Sequence, residues 1–178
     1  MNYCNQCGST VQQLIPEGDT FLRYVCVSCS TIHYENPRMI VGCIPFLNDT
    51  VLLCKRAIEP RLGFWTLPCG FMENGETPEE GALRETQEEA NANVSLMRLF
   101  TIFSLPDMNQ VHLFFLARLN DTNFFPGIES SETELFKEEN IPWEDIAFRS
   151  VGFTLKQFFR AENRDSGTTI LGNTRKPL

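Results

Sequence analysis

Glu85, Glu88 and Glu89 stand at positions i, i+3 and i+4, a spacing that makes their side chains neighbours on one face of a helix. Like charges this close repel one another unless a cation neutralises them. Hard divalent ions such as magnesium or manganese take oxygen donors of this kind and share their shell with substrate phosphates. Ahead of the glutamates runs Gly70-Phe71-Met72-Glu73-Asn74-Gly75-Glu76, a glycine turn that carries a further carboxylate, and Arg84 immediately precedes Glu85. Thr77, Pro78 and Glu80 supply an N-cap, a first-turn proline and a capping-box partner, so the helix is expected to start near Pro78. A glutamate-rich helix alone reads as a solvated face. The glycine turn that enters this one favours metal and phosphate chemistry.

A second constellation lies near the N-terminus. Cys4-x2-Cys7 and Cys26-x2-Cys29, separated by 18 residues, have the spacing of a tetrathiolate zinc site. Four thiolates close a tetrahedral shell and leave no position for water, so such a site is structural and its metal affinity contributes to folding. Redox-active Cys-x-x-Cys pairs are the alternative. Gly8, Ser28 and Ser30 suit tight turns after the knuckles. Val11–Ile15 and Thr20–Val25 flank Pro16-Glu17-Gly18-Asp19 as a hairpin. The module carries few cations and several acids, which argues against nucleic acid and for a structural or dimer-supporting element. Cys43, Cys54 and Cys69 have no partners at metal spacing and read as small buried residues, with Cys69 oxidation-sensitive beside the glycine turn.

The elements that must position these groups follow from pattern. A length of 178 residues allows one catalytic domain of ~100–150 residues plus a small appendage. The expected division is a zinc ribbon over 1–35, a catalytic domain over 36–160 and a mobile tail over 161–178. Met39–Leu47 and Thr50–Lys55 read as strands around Asn48-Asp49, and Val94–Ser104 and Val111–Leu119 as a second pair around Pro106-Asp107. The nearly unbroken apolar run Val111–Leu116 implies a strand buried on both faces. Glu134–Lys137 reads as a short strand and Phe153–Arg160 as an amphipathic helix. A net charge of −8 disfavours phosphate-backbone binding. No apolar run approaches the ~20 residues that span a bilayer. The opening Met1-Asn2-Tyr3-Cys4 offers no signal or transit pattern, which implies a cytoplasmic setting.

The run from Gly70 to Ala92 resembles the Nudix box, G-x5-E-x7-R-E-U-x-E-E-x-G-U, where U is a bulky aliphatic residue. Gly70, Glu76, Arg84, Glu85, Glu88 and Glu89 fit it without a gap. Asn91 stands where the box has glycine, and Thr86 and Ala92 replace aliphatic residues. Asn tolerates the left-handed conformation that ends many helices, so the box is read as working with a modified C-cap. The resemblance implies an α/β protein, a Nudix α/β/α sandwich with a mixed sheet, preceded by a small zinc-ribbon β module.

It further implies a pyrophosphatase acting on a small-molecule dinucleotide. Glu85, Glu88, Glu89 and the Gly70 carbonyl would hold catalytic Mg or Mn, while Cys4, Cys7, Cys26 and Cys29 hold structural Zn. Arg84 would orient the carboxylates and pair with Glu76, although the two could equally be a purely structural pair. A further carboxylate is expected outside the box. Glu132 precedes Phe136 by four residues, as in the family's later loop, and is the first choice for metal ligand or general base. Glu129 is the second, and a solvated acidic loop is the alternative. Phe64, Trp65 and Phe103 are candidates to stack on adenine or flavin.

A closer resemblance is to the plant chloroplast FAD pyrophosphatases, through residues 15–18, 34–43, 51–56, 67–71, 125–130 and 141–143. It implies hydrolysis of FAD to FMN and AMP, with ADP-ribose and other ADP-linked compounds as side substrates, and a homodimer is common for the architecture. An NADH or ADP-ribose pyrophosphatase is the alternative. The signature of NADH pyrophosphatases after the box is replaced here by Asn93-Val94-Ser95-Leu96-Met97-Arg98-Leu99. A non-catalytic nucleotide-sensing or nucleic-acid-binding module is a third reading, drawn from the ribbon and Asn91.

Overall fold

The computed structural model describes residues 1–175, so the last three positions of the expected tail lie outside the described residues. The chain divides into two units, Met1–Asn36 and a second that begins at Pro37. In the first, β1 (Val11–Leu14), β2 (Arg23–Cys26) and β3 (Ile32–His33) form an antiparallel sheet in that order. The hairpin turn closes through the Asp19 N–H to the Pro16 carbonyl at 3.0 Å, with Gly18 at φ 81°, a conformation that glycine adopts at little cost.

The second unit is built on β4 (Arg38–Leu47), β5 (Thr50–Arg56), β6 (Trp65–Thr66), β7 (Cys69–Phe71), β8 (Val94–Leu105), β9 (Gln110–Leu119), β10 (Ser130–Phe136) and β11 (Ile170–Asn173). Its main path runs β10-β5-β4-β9-β8-β11, with β6 on β5 and β7 on β4. The sheet is mixed, because β4 and β9 are parallel, as are β8 and β11, while the remaining pairings are antiparallel. Side chains alternate across a strand, and here both faces are apolar. Ile40, Ile44, Phe114 and Leu116 pack with Val151, Leu155 and Phe158 of the helix α2 (Arg149–Phe158). Val41, Cys43, Leu113, Phe115 and Ala117 pack with Ala82 of the helix α1 (Pro78–Ala90) on the other face. The result is the expected α/β/α arrangement, and β9 is indeed buried on both faces from His112 to Ala117.

The differences from expectation are local. The expected strand 134–137 is the end of the longer β10, and α2 begins at Arg149 rather than Phe153. Much of the segment expected to be mobile is ordered: it forms the short helix α3 (Ala161–Asp165) and the sheet-edge strand β11. Its anchor is distant in sequence. The Arg98 guanidinium donates to the carbonyls of Asn163, Arg164 and Thr168 at 3.2, 2.9 and 3.0 Å. Among the described residues, no helix is long and apolar enough to cross a membrane.

Candidate active site

The helix that carries the glutamates is fixed at both ends. Thr77 accepts from the Glu80 N–H at 3.2 Å while the Glu80 carboxylate accepts from the Thr77 N–H at 2.8 Å. These reciprocal bonds satisfy donors that a helix start leaves free. At the other end Asn91 has φ 47° and ψ 33°, the left-handed conformation, so it occupies the glycine position of the box in the geometry that glycine would adopt. Its side chain adds a bond that glycine lacks, from Nδ2 to the Phe125 carbonyl at 3.2 Å.

That bond belongs to a docking of the 125–129 loop onto the helix C-terminus. The Phe125 N–H donates to the Ala90 carbonyl and the Gly127 N–H to the Glu89 carbonyl, each at 3.0 Å. A side chain at Gly127 would collide with the Glu88 carbonyl oxygen, so the approach requires glycine. At Gly70 a Cβ would meet the end of the Glu85 side chain, so a side chain there would displace that carboxylate rather than the backbone.

Arg84 lies at the centre of the acidic cluster. It forks onto Glu76 through Nε at 3.1 Å and Nη2 at 2.8 Å. Nη1 reaches Glu85 at 2.6 Å and Glu88 at 3.1 Å, and Nη2 also donates to the Phe71 carbonyl at 3.0 Å. Bidentate guanidinium–carboxylate pairs of this kind fix orientation as well as charge. The Arg84 bonds and the Glu73 N–H hold the Glu76 carboxyl down at about 2. Glu89 is different. It is 5% exposed and accepts the Cys69 N–H at 3.1 Å, while the ion pairs of Arg84 go to Glu76, Glu85 and Glu88. Burial pushes its carboxyl up to about 8 and raises that of Glu85 as well.

Glu85, Glu88 and Glu89 face a cleft of about 1510 Å³ that is also lined by Gly70, Glu129, Arg56 and Arg61. The carboxylate from the later loop that reaches this cleft is Glu129, not Glu132. Glu129 belongs to the loop docked on the helix C-terminus, and its carbonyl accepts the Ala57 N–H at 2.8 Å, whereas Glu132 lies further along β10, opposite Lys55. Glu132 instead pairs with Lys55 at 2.8 Å, with 55% of its side chain exposed. The aromatic candidates are also placed elsewhere. Trp65 is buried edge-on against Phe136, and Phe103 is buried against Phe153. The Phe64 ring lies under Arg61, and its side chain is not among those lining the cleft. The aromatic residues that do line the cleft are Phe71, Phe125 and Phe148. Phe71 directly follows the box glycine and Phe125 sits two residues before Gly127, which opens a second turn, a positional signal that composition alone does not give.

A divalent cation fits this donor set. All the acidic donors are hard oxygens, and a buried carboxyl raised to about 8 needs added positive charge to stay ionised at neutral pH. Among the described residues, the group whose ligand atoms all lie within 4.8 Å of one another is Cys4, Cys7, Cys26 and Cys29. The glutamates therefore have to draw closer around an ion. The thiols are already placed for one: their sulfurs are 3.4 Å (Cys7–Cys26), 3.5 Å (Cys7–Cys29) and 3.7 Å (Cys4–Cys29) apart. A tetrahedron with zinc–sulfur bonds of ~2.3 Å has edges of about 3.8 Å. Gly8 and Ser30 follow the two knuckles with φ 73° and 60°, and their N–H groups close the turns onto the Cys4 and Cys26 carbonyls.

Comparison with known proteins agrees with the two units. Residues 36–160 match the NUDIX domain model, and residues 2–35 match the Nudix N-terminal zinc-ribbon model. A crystal structure of a NUDIX hydrolase from Nitrosomonas europaea is 53% identical, with a TM-score of 0.92, over 99% of this chain and 100% of that one. An ADP-ribose pyrophosphatase from Methanocaldococcus jannaschii is 31% identical over 61% of this chain and 67% of its own length. An NAD-capped RNA hydrolase NudC from Vibrio atlanticus is 30% identical over 83% of this chain, which spans about half (52%) of that relative. The acidic helix, its glycine turn and the paired cysteine knuckles thus have one explanation: the chain belongs to the Nudix hydrolase family and carries that family's N-terminal zinc ribbon.

Proposed function

We propose that this enzyme is a divalent-metal-dependent pyrophosphatase of ADP-linked dinucleotides, with FAD as the main substrate, split to FMN and AMP, and ADP-ribose and similar compounds as further ones. The observation that carries the reading is a single cleft of about 1510 Å³ in which Glu85, Glu88, Glu89 and Glu129 face Arg56 and Arg61. Its size exceeds the ~300–1,000 Å³ of ordinary small-molecule sites and leaves room for a dinucleotide.

Glu85, Glu88, Glu89 and the Gly70 carbonyl would hold Mg or Mn, with Glu129 taking the place expected of Glu132. When bound there, such an ion would offset charge developing on the phosphates and lower the pKa of the attacking water. The protein's own groups position the rest. Arg84 keeps Glu85 and Glu88 in place and, through Glu76, holds the box turn against the helix. Arg56 and Arg61, which also line the cleft, would meet the anionic bridge. Water oxygen bonds to one phosphorus as the bridging P–O bond breaks, and Glu129 accepts the water proton. Zinc on Cys4, Cys7, Cys26 and Cys29 has a structural role. The same reading keeps a cytoplasmic homodimer that acts on small molecules.

A second reading, ADP-ribose or NADH pyrophosphatase, shares every step above except the leaving group, and its ADP-ribose form is supported by the M. jannaschii relative, an ADP-ribose pyrophosphatase. A non-catalytic binding module accounts less well for a complete carboxylate set. Glu89→Gln should leave a folded protein whose turnover falls roughly a hundredfold or more, and chelation of divalent ions should abolish wild-type activity. Near-normal turnover in the variant would remove Glu89 from the metal site.

A further inference from the structure

The cleft has a second chemical region, adjoining the carboxylates, in which polar groups are set beside apolar residues. Gln110 and His112 lie on one face of β9, and both line the cleft together with Ile40 and Leu105. Strand register explains the grouping. His112 pairs with Ile40 across β4 and Gln110 pairs with Leu105 across β8, so these four share a face of the sheet. Ile40 also pairs with Phe71 of β7, and Phe71 directly follows Gly70. The apolar wall therefore begins one residue from the carboxylate site. Phe71 remains half exposed with Arg38 stacked 5.1 Å from its ring centroid.

The polar groups are linked in a chain. Ser150, fully buried on α2, lies 2.8 Å from His112 Nδ1, and His112 Nε2 lies 3.3 Å from Gln110 Oε1. His112 is itself buried, and burial lowers its proton affinity to about 4, so the ring is neutral at physiological pH. A neutral imidazole has one donor and one acceptor nitrogen. If Ser150 donates to Nδ1, then Nε2–H donates to the Gln110 carbonyl and the Gln110 amide NH2 is left to donate into the cleft. The opposite tautomer leaves the Gln110 carbonyl to accept. Either way Gln110 presents one oriented hydrogen-bonding group beside an apolar wall, the combination that fixes a planar ring by one face and one edge. Buried polar groups are costly unless paired, and packing alone would be met by apolar residues in these positions.

We propose that Gln110, His112 and Ser150 form the polar edge of a ring-recognition subsite, walled by Ile40, Phe71 and Leu105, that receives a heteroaromatic end of the substrate. The inference rests on reading the cleft as a dinucleotide site. Gln110 is the contacting residue, and His112 and Ser150 are positioning residues that act through it.

The test is calorimetric binding of AMP, FMN and ribose 5-phosphate to the wild-type protein and to Gln110→Leu and Ser150→Ala variants, each checked for folding by circular dichroism. Gln110→Leu should weaken AMP or FMN roughly tenfold, the equivalent of about 1.4 kcal/mol, and leave ribose 5-phosphate within about twofold. Ser150→Ala should weaken the same ligand by a smaller factor, because it releases the His112 tautomer without removing the contact. Loss confined to AMP identifies the adenine end, and loss confined to FMN the flavin end; both support the subsite. Unchanged ring binding in both variants, an equal loss of ribose 5-phosphate, or wild-type protein that binds none of the three overturns it. Turnover of FAD by the wild type is read separately. Ring binding that depends on Gln110 without turnover supports the subsite and removes the pyrophosphatase reading, whereas turnover with Gln110-independent ring binding does the reverse.

Discussion

Replacing Gly127 by alanine tests how the later loop is fixed to the catalytic helix. The added Cβ would collide with the Glu88 carbonyl oxygen, which is backbone and cannot rotate aside. The loop has to lift, and three bonds go with it: Gly127 N–H to the Glu89 carbonyl, Phe125 N–H to the Ala90 carbonyl and Asn91 Nδ2 to the Phe125 carbonyl. At about 1 kcal/mol each, the loss is about 3 kcal/mol. For a chain of this size, about 2–4 °C of melting temperature per kcal/mol gives a drop of about 6–12 °C. The chemical effect should be larger than the stability effect. Glu129 lies two residues beyond the clash, and a displacement of about 1 Å at a reacting group can cost about a hundredfold in rate. Thermal unfolding and steady-state turnover on the same preparation read both effects. A Gly127→Ala protein with wild-type melting temperature and wild-type kcat would refute the claim that this loop docks on the helix to place Glu129.

The two later-loop glutamates separate cleanly: Glu129→Gln should lower kcat about a hundredfold or more, while Glu132→Gln should stay within about threefold because it removes only an exposed pair with Lys55. Equal losses would mean that Glu129 is not the later-loop carboxylate that serves the cleft. His112 predicts an acid-side loss of stability. Its folded-state value of about 4 lies below the ordinary histidine value of about 6.5, so the unfolded chain binds more protons between those pH values and stability falls as pH drops from about 6.5 to about 4. At about 1.4 kcal/mol per pH unit the window is worth about 3 kcal/mol, and a His112→Gln variant should show a flatter melting profile across it. An unchanged slope would contradict the burial of a neutral ring. For the ribbon, metal analysis should find about one zinc per chain and Cys4→Ser should lower both zinc content and stability. Zinc-free protein with four reactive thiols would overturn the assignment.

The parts legible in sequence are those set by short-range spacing. The i, i+3, i+4 glutamates, the Thr77–Glu80 capping box and the paired cysteine knuckles each depend on fewer than about five residues of local geometry. Asn91 was readable for the same reason, since one residue in the left-handed region is a local requirement. The misplaced elements depend on distant partners. Glu129 reaches the cleft through the docking of its loop on the helix C-terminus, while Glu132 lies further along β10 opposite Lys55, and neither contact is written in local spacing. Trp65 and Phe103 are aromatic for the core and Phe71 and Phe125 for the cleft, a distinction that residue type does not encode. The regular structure within 161–173 meets partners more than 60 residues earlier, Arg98 on three of its carbonyls and β8 along β11.

The most direct test of the central claim is a product assay with purified protein and magnesium. FAD, NADH, NAD, ADP-ribose, CoA and nucleoside triphosphates would be supplied separately and the products resolved by chromatography. The account predicts FMN and AMP from FAD at the highest efficiency, with ADP-ribose cleaved more slowly and all activity lost on chelation. Preferential cleavage of ADP-ribose or NADH would contradict the substrate assignment, and no cleavage of any compound by the metal-loaded protein would contradict the pyrophosphatase reading itself.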